Sequence, residues 1–320
     1  MAYYNRVKTP KFYIDAVLLA RQLGYINEEN NIGKYYLNPT NTTDVVIPSN
    51  GQQTISIYLH RYFLNSLTHC FVLGHQFLTD NISADGYIKI DPYVGLIDDK
   101  RTIFSSESSS TNGFSLFEGD AGGDLAAERF TLELNGTADT LTPIGDISIG
   151  WSYTMPHSPD LELTQTFGNE SLKTVNTKGG HTLTNTGWNQ PPKWGNYPQW
   201  NVLTTNIAYP SRRSWSLKFS YLNDTDMMPE YYNNYDINDN RGIFEKTGGS
   251  VDAGTETFSI KDNFLSKVFA GTNGFQLPFI FQPDSTVEEY AIARVNANSV
   301  TMNQVANNVY DISLDIIEVW

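Results

Sequence analysis

The residues best equipped for recognition chemistry are Trp188, Trp194 and Trp200, set six apart in "TGWNQPPKWGNYPQW", a window that holds half of the chain's six tryptophans. Indole presents an apolar face and a polar N–H edge, so a row of such rings can stack on sugars. That spacing puts three indoles on one face only along an unbroken strand. Pro191 and Pro192, with Gly187 and Gly195, interrupt such a strand. The window therefore reads as a constrained turn at the tip of a hairpin, packed at a subunit boundary, with sugar stacking as the alternative.

Arg212 and Arg213 are the next candidates, because a guanidinium pair beside the strand bearing Trp215 can anchor an anionic partner surface. The alternative, which we favour, is that the pair forks onto the chain's own carboxylates. His60, His69 and His75 surround Cys70, yet His69 and Cys70 are neighbours that a strand would send to opposite faces, and no CxxC or HxxxH pair occurs. Half-buried histidines and a buried structural thiol are expected, and no metal. "DINDNRG" spaces Asp236, Asn238 and Asn240 like a calcium loop, but Gly242 falls one position late and Thr247 stands where a bidentate Glu is needed, which excludes an EF-hand. Acid pairs such as Glu288–Glu289 and Asp98–Asp99 carry no glycosidase spacing, and no nucleophile elbow, P-loop or dinucleotide fingerprint occurs. No catalytic residue and no cofactor is assigned, and a non-enzymatic role is expected.

The elements that must hold these residues are strands. In "AERFTLELNG", Phe130, Leu132 and Leu134 alternate with polar residues; in "DISIGWSYTM", Ile147, Ile149, Trp151 and Tyr153 do so. In "RRSWSLKFSYL", Trp215, Leu217, Phe219 and Tyr221 share one face, and the closing "NVYDISLDIIEVW" puts Tyr310, Ile312, Leu314 and Ile316 on one side. "TISIYLHRYF", "THCFVLGHQFL" and "DGYIKIDP" have the same β-branched and aromatic character. One short helix is expected in "SIKDNFLSKVFAGTNG", where Phe264, Leu265, Val268 and Phe269 recur at helical spacing before Gly271 and Gly274. Pro156 and Pro159 interrupt the strand pattern, so a boundary is expected there: an all-β domain over 1–156, jelly-roll or similar, and a second β-rich domain over 157–320.

Composition narrows the partners. With 21 Lys and Arg against 35 Asp and Glu, the formal charge is −14, which repels a phosphate backbone and sets aside direct nucleic-acid binding. Cys70 alone permits no intrachain disulfide. The N-terminal "MAYYNRVKTPKFYIDAVLLARQLG" has an apolar run broken by Asp15 and Arg21, so neither a signal peptide nor a membrane span is expected, and synthesis in a cytoplasm is. Five N-x-S/T sequons, at Asn41, Asn81, Asn135, Asn169 and Asn223, are read as a consequence of Asn, Ser and Thr richness.

Residues 200–320 resemble phage tail structural proteins, in particular distal-tail and baseplate-hub proteins related to the tail tube fold. The resemblance is carried by "RRSWSLKFSYL", "NGFQLPFIFQPD" and "EEYAIARVNANSVTMNQVANNVYDISLDIIEVW", whose order is a long strand, a helix, an apolar strand, another strand, a polar hairpin and a last strand. It implies a β-sandwich with a flanking helix that assembles into a homo-oligomeric ring, usually a hexamer, in the virion tail. Such a ring joins the tail tube to baseplate, fibre or receptor-binding proteins. It also implies a two-stranded arm between subunits, for which the segment around 174–208 is suited, and host-surface carbohydrate as a further partner. The acidic balance agrees with a channel that does not retain passing DNA.

Overall fold

The period-two segments pair antiparallel into one large sheet, seen in a computed structural model that describes residues 7–24, 43–58, 67–75, 82–89, 98–101, 106–110, 114–119, 127–137, 141–161, 163–168, 173–185, 193–194, 197–198, 212–228, 244–246, 258–260 and 262–319. Its spatial order begins with β12 (Thr164–Gly168), β17 (Arg212–Asn223), β23 (Val309–Glu318), β21 (Ala291–Val295) and β20 (Phe279–Gln282). It continues through β1 (Lys11–Asp15), β11 (Asp146–Thr154), β4 (His69–Leu73), β8 (Phe114–Glu118) and β7 (Ser106–Ser110). A further strand, β22 (Met302–Ala306), pairs with the first half of β23. A second sheet has the order β3 (Gln52–Tyr58), β9 (Ala127–Asn135), β5 (Ile82–Lys89) and β6 (Asp98–Arg101). Four two-stranded ribbons complete the described strands: β2 (Thr43–Val46) with β10 (Leu141–Ile144), β13 (Lys173–Asn176) with β14 (Thr182–Asn185), β15 (Lys193–Trp194) with β16 (Tyr197–Pro198), and β18 (Phe244–Lys246) with β19 (Phe258–Ile260). The protein is mainly β with few short helices, as the alternation implies.

β1 lies between β11 and β20, with Phe12 opposite Tyr153 on one side and Phe281 on the other. The boundary expected at residue 156 therefore divides neither this sheet nor its main core, in which Phe12 and Ile149 belong to one cluster with Trp215, Phe281 and Leu314. Pro156 and Pro159 do end a strand, but strand ends are where proline is tolerated, and pairing between distant segments decides what folds together. Both faces of the central strands are buried. Cys70 and Val72 of β4 join the main core while Phe71 and Leu73 face a second cluster with Tyr13, Leu116, Ile280, Tyr290 and Ile292.

α1 (Ala16–Gln22), which in the sequence shows only as an apolar run broken by Asp15 and Arg21, starts where β1 stops. The Asp15 carboxylate accepts from the N–H groups of Val17 and Leu18 at 2.8 and 3.0 Å, satisfying two of the orphan donors of a helix start. Gly150, paired to Asp15 and His69, makes room for this exit: a Cβ there would lie 1.8 Å from the Ile14 carbonyl oxygen.

The helix expected in "SIKDNFLSKVFAGTNG" is present as a π-helical turn, Leu265–Ala270. Its widening has an identifiable cause: the indole N–H of Trp151 donates to the Lys267 carbonyl at 2.9 Å, inserting a side chain into the hydrogen-bond ladder. The expected face of β17 holds for Trp215, Leu217 and Phe219 but fails at Tyr221, which is 77% exposed. A bulge between Phe219 and Leu222 inserts an extra residue, Tyr221 takes φ 63°, and buried Leu222 moves into the core position. On β23, Ile312, Leu314 and Ile316 are buried while Ser313 and Asp315 are exposed, as the alternation requires.

Candidate functional site

Arg213 is the second residue of β17, at the place where β23 ends and the chain leads into β21. Its Nε and one terminal nitrogen donate to Glu318 at 3.1 and 2.8 Å, its backbone N–H donates to the same carboxylate at 2.9 Å, and its other terminal nitrogen donates to Glu289 at 2.9 Å. The Tyr290 carbonyl accepts a further bond at 3.0 Å. The guanidinium also stands 5.4 Å from the Trp215 ring centre. With 2% of the Arg213 side chain and 5% of the Glu318 side chain exposed, this fork faces the chain's own carboxylates rather than solvent. Arg212 lies half-buried at the same strand end. Sequence alone supplied the Arg but not its partners, since Glu289 and Glu318 are brought to it only by strand register.

An exposed apolar pair lies between β12 and β17 in the chain. β12 pairs with β17 and forms one end of the sheet among the described strands. The ribbon β13–β14 follows it. Val175 and Leu183 stand opposite one another across this ribbon, each 60% exposed. The other described side chains from Thr174 to Thr184 are exposed too, apart from half-buried Thr177. Hydrogen bonds tie its turn: Thr177 N–H donates to the His181 carbonyl at 2.8 Å, Gly180 N–H to the Thr177 carbonyl at 3.0 Å, and Gly180 takes φ 80°, where a side chain would be strained. An isolated two-stranded ribbon is marginal in water, and this one displays an apolar cross-strand pair.

The segment around 174–208, expected as one long arm, is represented among the described residues by two short ribbons, β13–β14 and β15–β16. Trp194 pairs with Tyr197 in the second. Trp188 and Trp200 lie outside the described residues, as does "DINDNRG".

His69 and Cys70 face opposite sides as the strand alternation implies, but His69 and His75 are buried rather than half-buried, and His60 lies outside the described residues. His69 is fully buried, edge-on to Tyr13 at 5.0 Å between ring centres, with neither ring nitrogen hydrogen-bonded. Burial first, then Lys11, hold its pKa well below the usual imidazole range, so it is a neutral ring in an aromatic cluster. Burial pushes the Cys70 thiol up and keeps it unreactive. His75 shares a 2.8 Å hydrogen bond with the Ser115 hydroxyl. Among the described residues no group of three or more His, Cys, Asp or Glu is placed to hold a metal ion, and no helix is long and apolar enough to cross a membrane.

No protein-family model and no curated protein matches this chain. Among solved structures, the crystal structure of a DUF4466 family protein from Parabacteroides merdae aligns over 88% of this chain and 99% of its own, at 8% identity and a TM-score of 0.21. A likeness that small carries no inference about fold or function.

Proposed function

We propose that the protein is a structural component of a tailed-phage virion, assembled from copies of itself into a ring at the tail tip, and not an enzyme. The observation that carries this reading is the β13–β14 ribbon, which exposes the Val175–Leu183 pair and comes next in the chain after the end strand β12. A neighbouring copy that covers this pair gains about 1–2 kcal/mol per side chain from apolar burial, and β12 offers a strand edge for the same contact. The Arg213 fork supports the reading from the other direction, because it fixes the strand that receives β12 and leaves the guanidinium committed within the chain. On this reading β17 and β20–β23, with the π-helical turn, supply the tail-tube-like part of the large sheet. The first-half strands that pair into the second sheet, β3–β9–β5–β6, serve docking to the tail tube or to fibre and receptor-binding proteins. Synthesis would be in the host cytoplasm, before incorporation into the tail.

Mass photometry and negative-stain images of the purified full chain should show a closed ring, six-fold by the tail-protein resemblance. Leu183→Lys should release monomers with the unfolding midpoint unchanged, since the side chain is exposed within one copy. A wild-type chain that stays monomeric up to tens of micromolar would sink the ring.

A further inference from the structure

The ribbon that exposes Val175 and Leu183 lies in the longest acid-free stretch of the chain. From Ser171 to Asn223 there are six of the 21 Lys and Arg and none of the 35 Asp and Glu. Lys173 opens β13, and Lys178 stands exposed in the turn with His181. The ribbon thus offers an apolar pair with a cationic margin, in a chain whose net charge is −14.

A surface of the opposite character lies at the far end of β17. There the bulge in β17 turns Tyr221 out, 77% exposed at φ 63°, and a second bulge on β22 presents Val305, 49% exposed. Both strands flank β23, so the bulges stand about 10 Å apart on either side of Tyr310. Leu161, fully exposed, follows Asp160, whose carboxylate accepts from the Ser220 hydroxyl at 2.6 Å. Asp311 accepts from the Tyr221 N–H at 3.1 Å, and Asp224, directly after β17, donates its N–H to the Asn308 carbonyl at 3.0 Å. Three carboxylates therefore margin this apolar patch, and Lys218 is the one cation on the second half of β17. A left-handed φ is strained for an aromatic residue, so the backbone alone does not call for Tyr at position 221.

The two surfaces do not meet within one copy. β12 runs antiparallel to β17 and ends with Gly168 opposite Arg212, so the chain leaves it heading away from Tyr221. Tyr221 is nine residues along β17 from Arg212, about 30 Å, whereas the seven residues from Gly168 to Val175 span at most about 25 Å even if they reversed at once.

We propose that the β13–β14 ribbon of one copy docks head to tail on the Tyr221–Val305 end of another, with Val175 and Leu183 against Tyr221 and Leu161, and Lys178 towards the carboxylates. The inference rests on the ring reading and names the two surfaces that meet in it. Joining two different surfaces makes a heterologous contact, which propagates from copy to copy until it closes.

The test uses full-length variants, separately and mixed, in mass photometry and sedimentation velocity. Leu183→Lys disables the ribbon. Tyr221→Gly removes the exposed ring and should keep the unfolding midpoint close to wild type, relief of the left-handed strain offsetting the entropy that glycine adds to the unfolded chain. Leu161→Lys, at a fully exposed position, disables the same end by a second route. Each variant alone should be monomeric, and Leu183→Lys mixed with Tyr221→Gly should stop at twice the 36.0 kDa chain mass, because each supplies the surface that the other lacks. Lys178→Glu should raise the dissociation constant of assembly about fivefold or more at low salt, and less in about 0.5 M NaCl. Leu141→Lys, in the exposed cross-strand pair Val46–Leu141 of β2–β10, should leave assembly intact. A wild-type chain that stays monomeric removes the ring and this contact together. A wild-type chain that assembles overturns this contact alone if Tyr221→Gly and Leu161→Lys assemble equally well, if the mixture holds only monomers, or if Leu141→Lys is the change that disperses it.

Discussion

Replacing Glu318 by Gln keeps the shape of the side chain and removes the charge that meets Arg213 through three hydrogen bonds, at 2.8, 2.9 and 3.1 Å. Both side chains are almost wholly buried, so the guanidinium cannot recover hydration when its partner is neutralised. Breaking a buried ion pair from one side costs roughly 3–5 kcal/mol for this reason. Glu289 remains 2.9 Å from the other terminal nitrogen, but 28% of its side chain is exposed and water weakens its hold. The expected loss is therefore near the lower end, about 3 kcal/mol, more than a hundredfold in the folding equilibrium. Urea denaturation of the full chain should show this as a lowered midpoint with an unchanged slope. The companion variant Arg213→Met with Glu318→Gln removes both charges while the amide still accepts from the backbone N–H of residue 213. It should cost less than the two single changes added together, by about 2 kcal/mol. A single Glu318→Gln change within about 0.5 kcal/mol of wild type, or strict additivity of the pair, would refute the claim that this fork is a coupled buried unit.

Two further perturbations address the exit of β1 into α1. Burial pushes the Asp15 carboxyl up to about 7, against roughly 4 for an exposed Asp, so between those values the folded chain holds a proton that the unfolded chain has released. The contribution of Asp15 to stability accordingly falls as pH rises from about 4 to about 7 and is level above. Asp15→Asn keeps an N-cap acceptor and removes this slope, so its stability relative to wild type should be greater near pH 8 than near pH 5; the same difference at both would contradict the assignment. Gly150→Ala places a methyl 1.8 Å from the Ile14 carbonyl, which only backbone movement can relieve, and a loss of about 3 kcal/mol or failure to fold is expected. A soluble variant with wild-type melting would show that α1 leaves the sheet by another path.

Strands were legible because side-chain alternation is a local property that survives without knowledge of neighbours. β11, β17 and β23 stand where their alternating residues put them. What failed was decided at a distance. Tyr221 leaves its expected face because the register against β23 shifts, and its N–H donates to Asp311 at 3.1 Å. The expected helix widens because an indole 116 residues away takes one of its carbonyls. α1 was within reach of sequence reading, since Asp15 before "AVLLARQ" is an N-cap signal, but so short an apolar run is ambiguous in period. At the candidate site, Arg213 could be singled out by type alone. The contacts of Lys11 and Tyr13 with Glu118, and of Tyr13 with Gln282, could not, because strand order alone brings these distant segments together.

The position of β1 separates folding from assembly. Five residues near the start of the chain complete hydrogen bonding between β11 and β20, and both their faces are buried. The sheet therefore cannot close before β20 has been made, and pairing over so long a separation is slow and cooperative. A change within β1 would lower stability and assembly together and could not tell one from the other. The β13–β14 ribbon has the opposite character, for Val175 and Leu183 face water in a single copy and their replacement withdraws little from the core. Loss of the ring in Leu183→Lys at an unchanged unfolding midpoint would thus report on the contact between copies. A midpoint that fell with it would mean that the ribbon packs within its own chain, and the surface assigned to assembly would be wrong.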